Sequence, residues 1–190
     1  MADAPLEVVE PVAHEAPAAD VAPRDSEPQA EMFAEPEPVP EDEVKVIGSL
    51  RIGIKLFNVY LNEADEWSRR LSAELGDWAL DCSAEAVPKS AEALAHSLVG
   101  ASGAVGFSAL SDLARALEHA LGASHAHAQD GMPASASDAA LFVDAADDIR
   151  RLLHQFAAGF LKEASASVMQ QLDEFLHQRQ TAVAAAPAPA

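Results

Sequence analysis

Cysteine is nearly absent from this chain, and the lone Cys82 excludes an internal disulfide and any metal cluster built from several thiolates. That fits a reducing compartment, and Cys82 reads as a small buried hydrophobe. Long apolar runs are missing as well. None approaches the roughly 20 residues that a membrane-spanning helix needs, and the N-terminus lacks the basic-then-apolar layout of a secretory signal. The expected location is the cytoplasm. Basic residues are scarce, with 12 Lys and Arg against 31 Asp and Glu and a formal net charge of −19. A surface this acidic repels phosphate backbones and anionic lipid headgroups, so neither nucleic acid nor a membrane is an expected partner. The chain also lacks a Gly-rich phosphate loop and a Gly-x-Ser-x-Gly elbow, which disfavours an autonomous kinase or hydrolase. No stretch of useful length alternates with period two, so strands are not expected.

With 49% hydrophobic residues, the 190 residues can build one compact core but hardly two. The segment 1–44 holds thirteen acids against the single base Arg24, together with eight of the 12 prolines. It has too few large apolar side chains to offset its ordering entropy and reads as a disordered acidic linker. Residues 181–190, ending Ala-Pro-Ala-Pro-Ala, read as a second linker. A folded module at 45–180 between two linkers is expected to be one segment of a longer multidomain protein.

Inside that module the apolar residues recur at helical spacing. Ile54, Phe57, Leu61, Ala64, Ser68, Leu71, Leu75 and Trp78 form one stripe of a long helix, flanked by Tyr60 and Trp67 at its boundary. Pro88 suits the first turn of a second helix running to about Ser102. After Gly103 and Gly106, a third stripe comprises Leu110, Leu113, Ala114, Leu117 and Leu121 and is expected to stop near Gly122. The stretch 123–137 reads as a long surface loop, with Ser137 capping a fourth helix through Leu141, Ala145, Ile149, Leu152 and Phe156 to about Gly159. A fifth segment from about Leu161 carries Val168, Leu172, Phe175 and Leu176. The expected fold class is all-α, an antiparallel four-helix-bundle-like domain with one additional helical segment.

On the second helix, Ala91, Leu94, Ala95, Leu98, Ser102 and Val105 fall within about 80° of one another at 100° per residue and form the core face. His96 lies roughly 160° from the centre of that face and therefore points to solvent. Gly100 and Gly103 stand on the same outer side and leave open space, although glycine costs up to about 1 kcal/mol against alanine in a helix. An imidazole in water is largely uncharged at neutral pH, so one ring nitrogen is free to attack phosphorus. Phosphoryl transfer depends chiefly on positioning and charge stabilisation, which a partner protein can supply.

The run His96-Ser97-Leu98-Val99-Gly100-Ala101-Ser102-Gly103-Ala104-Val105-Gly106 resembles the signature of histidine-phosphotransfer (HPt) domains. Leu110 to Leu121, including Leu117-Glu118, resembles the helix that follows it. The segment Val46-Ile47-Gly48-Ser49-Leu50-Arg51-Ile52, the first helix and the flanking linkers look like an HPt segment of chemotaxis-type hybrid histidine kinases associated with type IV pili. The resemblance implies that His96 accepts a phosphoryl group from a kinase catalytic domain or a receiver domain and passes it to a receiver aspartate. Glu92, Lys89, Val99, Gly100 and Gly103 would form the docking surface around it. No intrinsic cofactor is implied, and Mg2+ is expected on the partner. Val99 departs from the family pattern, which usually has Lys there beside the phosphoryl group. Lys89, two turns upstream, is a candidate source of positive potential. The departure leaves two readings: slower or more partner-dependent transfer, or a helical interaction and scaffold domain that is never phosphorylated.

Other clusters carry plainer readings. His119, His125 and His127 lack fixed spacing and an acidic partner, so solvated histidines are expected and no metal site. His154 and His177 are expected at boundary or surface positions. Asp147-Asp148 and Asp173-Glu174 read as solvated faces, because adjacent helical residues point about 100° apart.

Overall fold

The computed structural model describes residues 43–185, with side chains to residue 181. Most of the two expected linkers, 1–42 and 186–190, lies outside the described residues. Five helices carry the fold: α1 (Ile54–Ala79), α2 (Lys89–Ala104), α3 (Ser108–Gln129), α4 (Ala136–Ala157) and α5 (Ala166–Ala185). The first four form a ring, in which α1 packs on α2 and α4 while α3 packs on α2 and α4. Side-chain pairs set the directions. Tyr60 meets Ser102 while Glu74 meets Ser90, so α1 and α2 run antiparallel. Tyr60 meets Phe156 while Trp78 meets Phe142, so α1 and α4 do too. α5 lies outside the ring against α3 and α4.

The core follows the stripes read from the sequence, with two shifts. In α1 the buried positions are Phe57, Tyr60, Ala64, Ser68, Leu71, Leu75 and Trp78. Tyr60 replaces Leu61 at the centre of the stripe, and Ile54 is 38% exposed. Tyr60 tolerates burial because its hydroxyl meets Ser102 Oγ at 3.1 Å, which spares both groups the cost of an unpaired buried hydroxyl. Burial pushes the Tyr60 hydroxyl up to about 12, partly offset by that hydrogen bond. Phe107, between α2 and α3, is fully buried and stacks on Phe156 with ring centroids 4.5 Å apart. Phe57 and Tyr60 complete this aromatic cluster at one end of the bundle.

Two short strands cap that end and correct the expectation of a strand-free chain. β1 (Val44–Ile47) and β2 (Leu50–Gly53) pair antiparallel around a Gly48-Ser49 turn, with Ile47 opposite Leu50 and Lys45 opposite Ile52. Ile47 and Ile52 are buried. The alternation is broken because Lys45 shares the inward face, its ammonium 5.8 Å from the Phe57 ring centre, while Val46 points outward. Four-residue strands with one cation inward and one valine outward carry no readable period.

The boundaries of α3, α4 and α5 also differ from expectation. α3 continues past Gly122 to Gln129, because Ser124 and His127 prolong its buried stripe. Gly131, at φ +80°, ends it: Met132 N–H reaches His127 O at 2.9 Å and Gly131 N–H reaches Ala128 O, a closure that needs a left-handed residue. The long loop expected at 123–137 is therefore six residues, 130–135. Ser135, not Ser137, caps α4, accepting from Asp138 N–H while the Asp138 carboxylate accepts from Ser135 N–H. α5 begins at Ala166 rather than near Leu161 and continues to Ala185, into the expected C-terminal linker. Cys82 is buried. No helix of the described residues is long and apolar enough to cross a membrane.

Candidate functional site

α2 and α3 form a tight hairpin. Only Val105, Gly106 and Phe107 separate them, and Gly106 at φ +79° lets Phe107 N–H return to Ser102 O at 2.9 Å. A connection this short forces antiparallel neighbours, so residues equally distant from Phe107 face each other. His96 and Glu118 are such a pair, eleven residues on either side of the turn. Their contact is His96 Nδ1 to Glu118 Oε1 at 2.9 Å. A carboxylate can only accept, so Nδ1 carries the proton and the ring's lone pair resides on Nε2. The imidazole is 75% exposed and the carboxylate 20% exposed. The arrangement is a fixed tautomer presented to solvent.

Lys89, Glu92, Ala93, His96, Ser97 and Glu118 line one shallow open depression. Glu92 lies across the hairpin over Gly122, where an added Cβ would stand 3.2 Å from Glu92 Oε1. Gly100, one turn beyond His96, has open space where a Cβ would be. Gly103 is exposed but leans on α3, since a Cβ there would meet Ser111 Oγ at 3.7 Å. Val99 departs from the expected docking set: its side chain is 7% exposed and belongs to the core, and its carbonyl accepts from Ser111 Oγ–H at 3.0 Å. A valine at this position follows the buried face of α2 rather than the outer one.

Glu118 was not among the residues singled out from sequence as site residues. Its only signal was membership of Leu117-Glu118 in a familiar-looking helix, and its role depends on how two helices pair. The other histidines do not converge. His119 and His154 are exposed, and His125 Nδ1 contacts Val87 O at 3.2 Å. His127, expected in a solvated loop, is buried with its Nδ1 2.7 Å from Ala123 O. No group of three His, Cys, Asp or Glu side chains among the described residues is arranged to hold a metal ion. Asp147, Asp173 and Glu174 are exposed as expected, but Asp148 is only 7% exposed. It accepts from Arg151 Nε at 2.6 Å and from Ser165 N–H at 2.7 Å, which ties the start of α5 to α4.

The comparison with curated proteins yields no match. The family model of the Hpt domain matches residues 55–186, more than two thirds of the chain. That span begins at the second residue of α1 and takes in the whole α2–α3 hairpin with its exposed histidine. The chain therefore belongs to the Hpt domain family, whose work is histidine phosphotransfer in phosphorelays.

Proposed function

We propose that His96 is the phosphoacceptor of this domain, carrying a phosphoryl group between its Nε2 and the aspartate of a response-regulator receiver domain or the active site of a histidine kinase. One observation carries the reading: an imidazole 75% exposed whose Nδ1 is held by the Glu118 carboxylate. Attack by the Nε2 lone pair on an aspartyl phosphate forms the N–P bond. The acyl P–O bond breaks, and its electron pair leaves on the aspartate. The ring gains positive charge as the N–P bond forms, and Glu118 balances it through the Nδ1–H it already accepts. The receiver or kinase supplies Mg2+ and the remaining charge stabilisation, so this domain needs no ATP site.

The same reading extends to the parent protein. The likeness of the 46–52 segment, α1 and the flanking linkers to HPt segments of chemotaxis-type, type IV pilus-associated kinases supports a place in such a cytoplasmic hybrid kinase. The test is phosphate incorporation from a phosphorylated receiver or cognate kinase domain, comparing wild type with His96→Gln. An acid-labile, base-stable adduct that requires His96 is the expected result. One observation favours a second reading, a scaffold that docks without being phosphorylated: position 99 holds a buried valine where the family usually has lysine. Receiver binding without phosphate uptake from any donor would select it.

A further inference from the structure

An unphosphorylated His96 sits among carboxylates, and phosphorylation would add further negative charge. Glu92 and Glu118 both line its depression, and Lys89 is the only cation there. Lys89 is seven residues upstream, about 10.5 Å along the helix axis. The other helix carries a second cation, closer along the bundle axis though outside the lining of that depression. Three contacts share one register about Phe107: Glu92 over Gly122, His96 with Glu118, and Gly103 against Ser111. In that register Arg115 stands opposite Val99, about 4.5 Å along the axis from His96. Arg115 lies four residues after Ser111 and three before Glu118, within about 60° of each on the helix wheel. It therefore belongs to the α3 ridge that faces α2.

Two features leave Arg115 available. It is exposed and, like Arg51 and Arg150, forms no ion pair with any described residue, whereas Arg69, Arg70, Arg151 and Arg179 are paired. Gly100, beside Val99, leaves open space on the α2 side, with no atom near where its Cβ would be. We infer that Arg115 is the cation that stabilises the phosphoryl group on His96, supplied from α3 in place of the lysine that α2 lacks. A guanidinium fork can donate two parallel hydrogen bonds to phosphoryl oxygens, and its stem can span the groove over Gly100. The inference rests on His96 being the phosphoacceptor.

Phosphoramidate is a suitable probe because it needs no partner protein. Nε2 of His96 attacks its phosphorus, the N–P bond forms, and the reagent's P–N bond breaks with its electron pair going to the reagent's already protonated nitrogen, which leaves as ammonia. Uptake is followed by 31P NMR in wild type, Arg115→Gln, Arg115→Lys and His96→Gln, with circular dichroism confirming that each is folded. Loss of a charge-assisted hydrogen bond predicts uptake in Arg115→Gln slower by about tenfold or more, with partial recovery in Arg115→Lys. The pH at which the attached phosphoryl group titrates, read from its 31P shift, should rise in Arg115→Gln, because the cation favouring the dianion is gone. Glu92, Glu118 and Lys89 around His96, and Asp112 and His119 on α3, are unchanged in that variant. Wild-type uptake and an unmoved titration in Arg115→Gln, with His96→Gln inactive, overturn the role of Arg115 and leave His96 standing. Absence of phosphohistidine in every protein, or equal uptake in His96→Gln, overturns both.

Discussion

Glu118 fixes which nitrogen of His96 carries the proton, and in the proposed transfer it would also oppose the charge that forms as the other nitrogen attacks. Glu118→Gln separates the two effects, since the amide oxygen still accepts from Nδ1–H while the negative charge is lost. Phosphoryl acceptance should fall on the order of tenfold, in line with the weaker hydrogen bond of a neutral acceptor. The melting temperature should hardly move, because both partners reach solvent and surface changes are usually within about 0.5 kcal/mol. Kinetics of phosphohistidine formation alongside thermal melts check both halves. Tyr60 supports a different test. Its folded-state pKa, pushed up to about 12, exceeds the ordinary value of 10.0, so the neutral form is the one the fold prefers. The associated stability is fully present below pH 10 and is lost as pH rises toward 12, when the unfolded chain ionises first. The whole effect is on the order of 2 to 3 kcal/mol. Denaturation in urea at pH 9 and pH 11 should give a steeper loss for wild type than for Tyr60→Phe, and equal losses would refute this account.

At the scale of elements, the Asp148 carboxylate ties α4 to the segment entering α5. Asp148→Ala leaves the Ser165 amide and Arg151 Nε without their acceptor, while the guanidinium keeps Gln155 and the Glu163 carbonyl, at a cost of about 1 to 3 kcal/mol. Chemical denaturation should report that loss, and hydrogen exchange should place it first in α5. The same elements mark where sequence reading works and where it stops. The stripes of α1, α2 and α4 were legible because large apolar side chains recur every three or four residues. The last two turns of α3 were not, since their buried positions are Ser124 and His127, polar residues that packing accepts but a hydrophobic pattern cannot flag. Gly122 reads as a stop, yet it is the space over which Glu92 lies. His96 was legible from its outward position on α2. The roles proposed for Glu118 and Arg115 were not, because each depends on the register between α2 and α3.

At the scale of the whole molecule, α5 borders the α2–α3 hairpin on one side, where its Leu176 and Gln180 share a depression with Glu92 and Glu118. Among the described residues the outer side of α2 around Gly100 is open, with no atom within 4 Å of where its Cβ would be. A large side chain there should obstruct a protein donor without hindering a small one. Gly100→Gln is therefore expected to lose transfer from a phosphorylated receiver while keeping uptake from phosphoramidate. It should also gain up to about 1 kcal/mol of stability from better helix propensity. Loss of both activities would mean that the substitution disturbs His96 itself.

The three-residue turn between α2 and α3 has a kinetic consequence. His96 and Glu118 are only 22 residues apart in the chain, so the loop that joins them closes at small entropic cost and their encounter does not await the wrapping of α1 or the landing of α5. The pair belongs to the helical hairpin with the shortest connection in the bundle. Such a unit can open and reclose separately from its surroundings. Transient detachment of α5 would then leave His96 and Glu118 in register, because the contact between them is made within the hairpin alone.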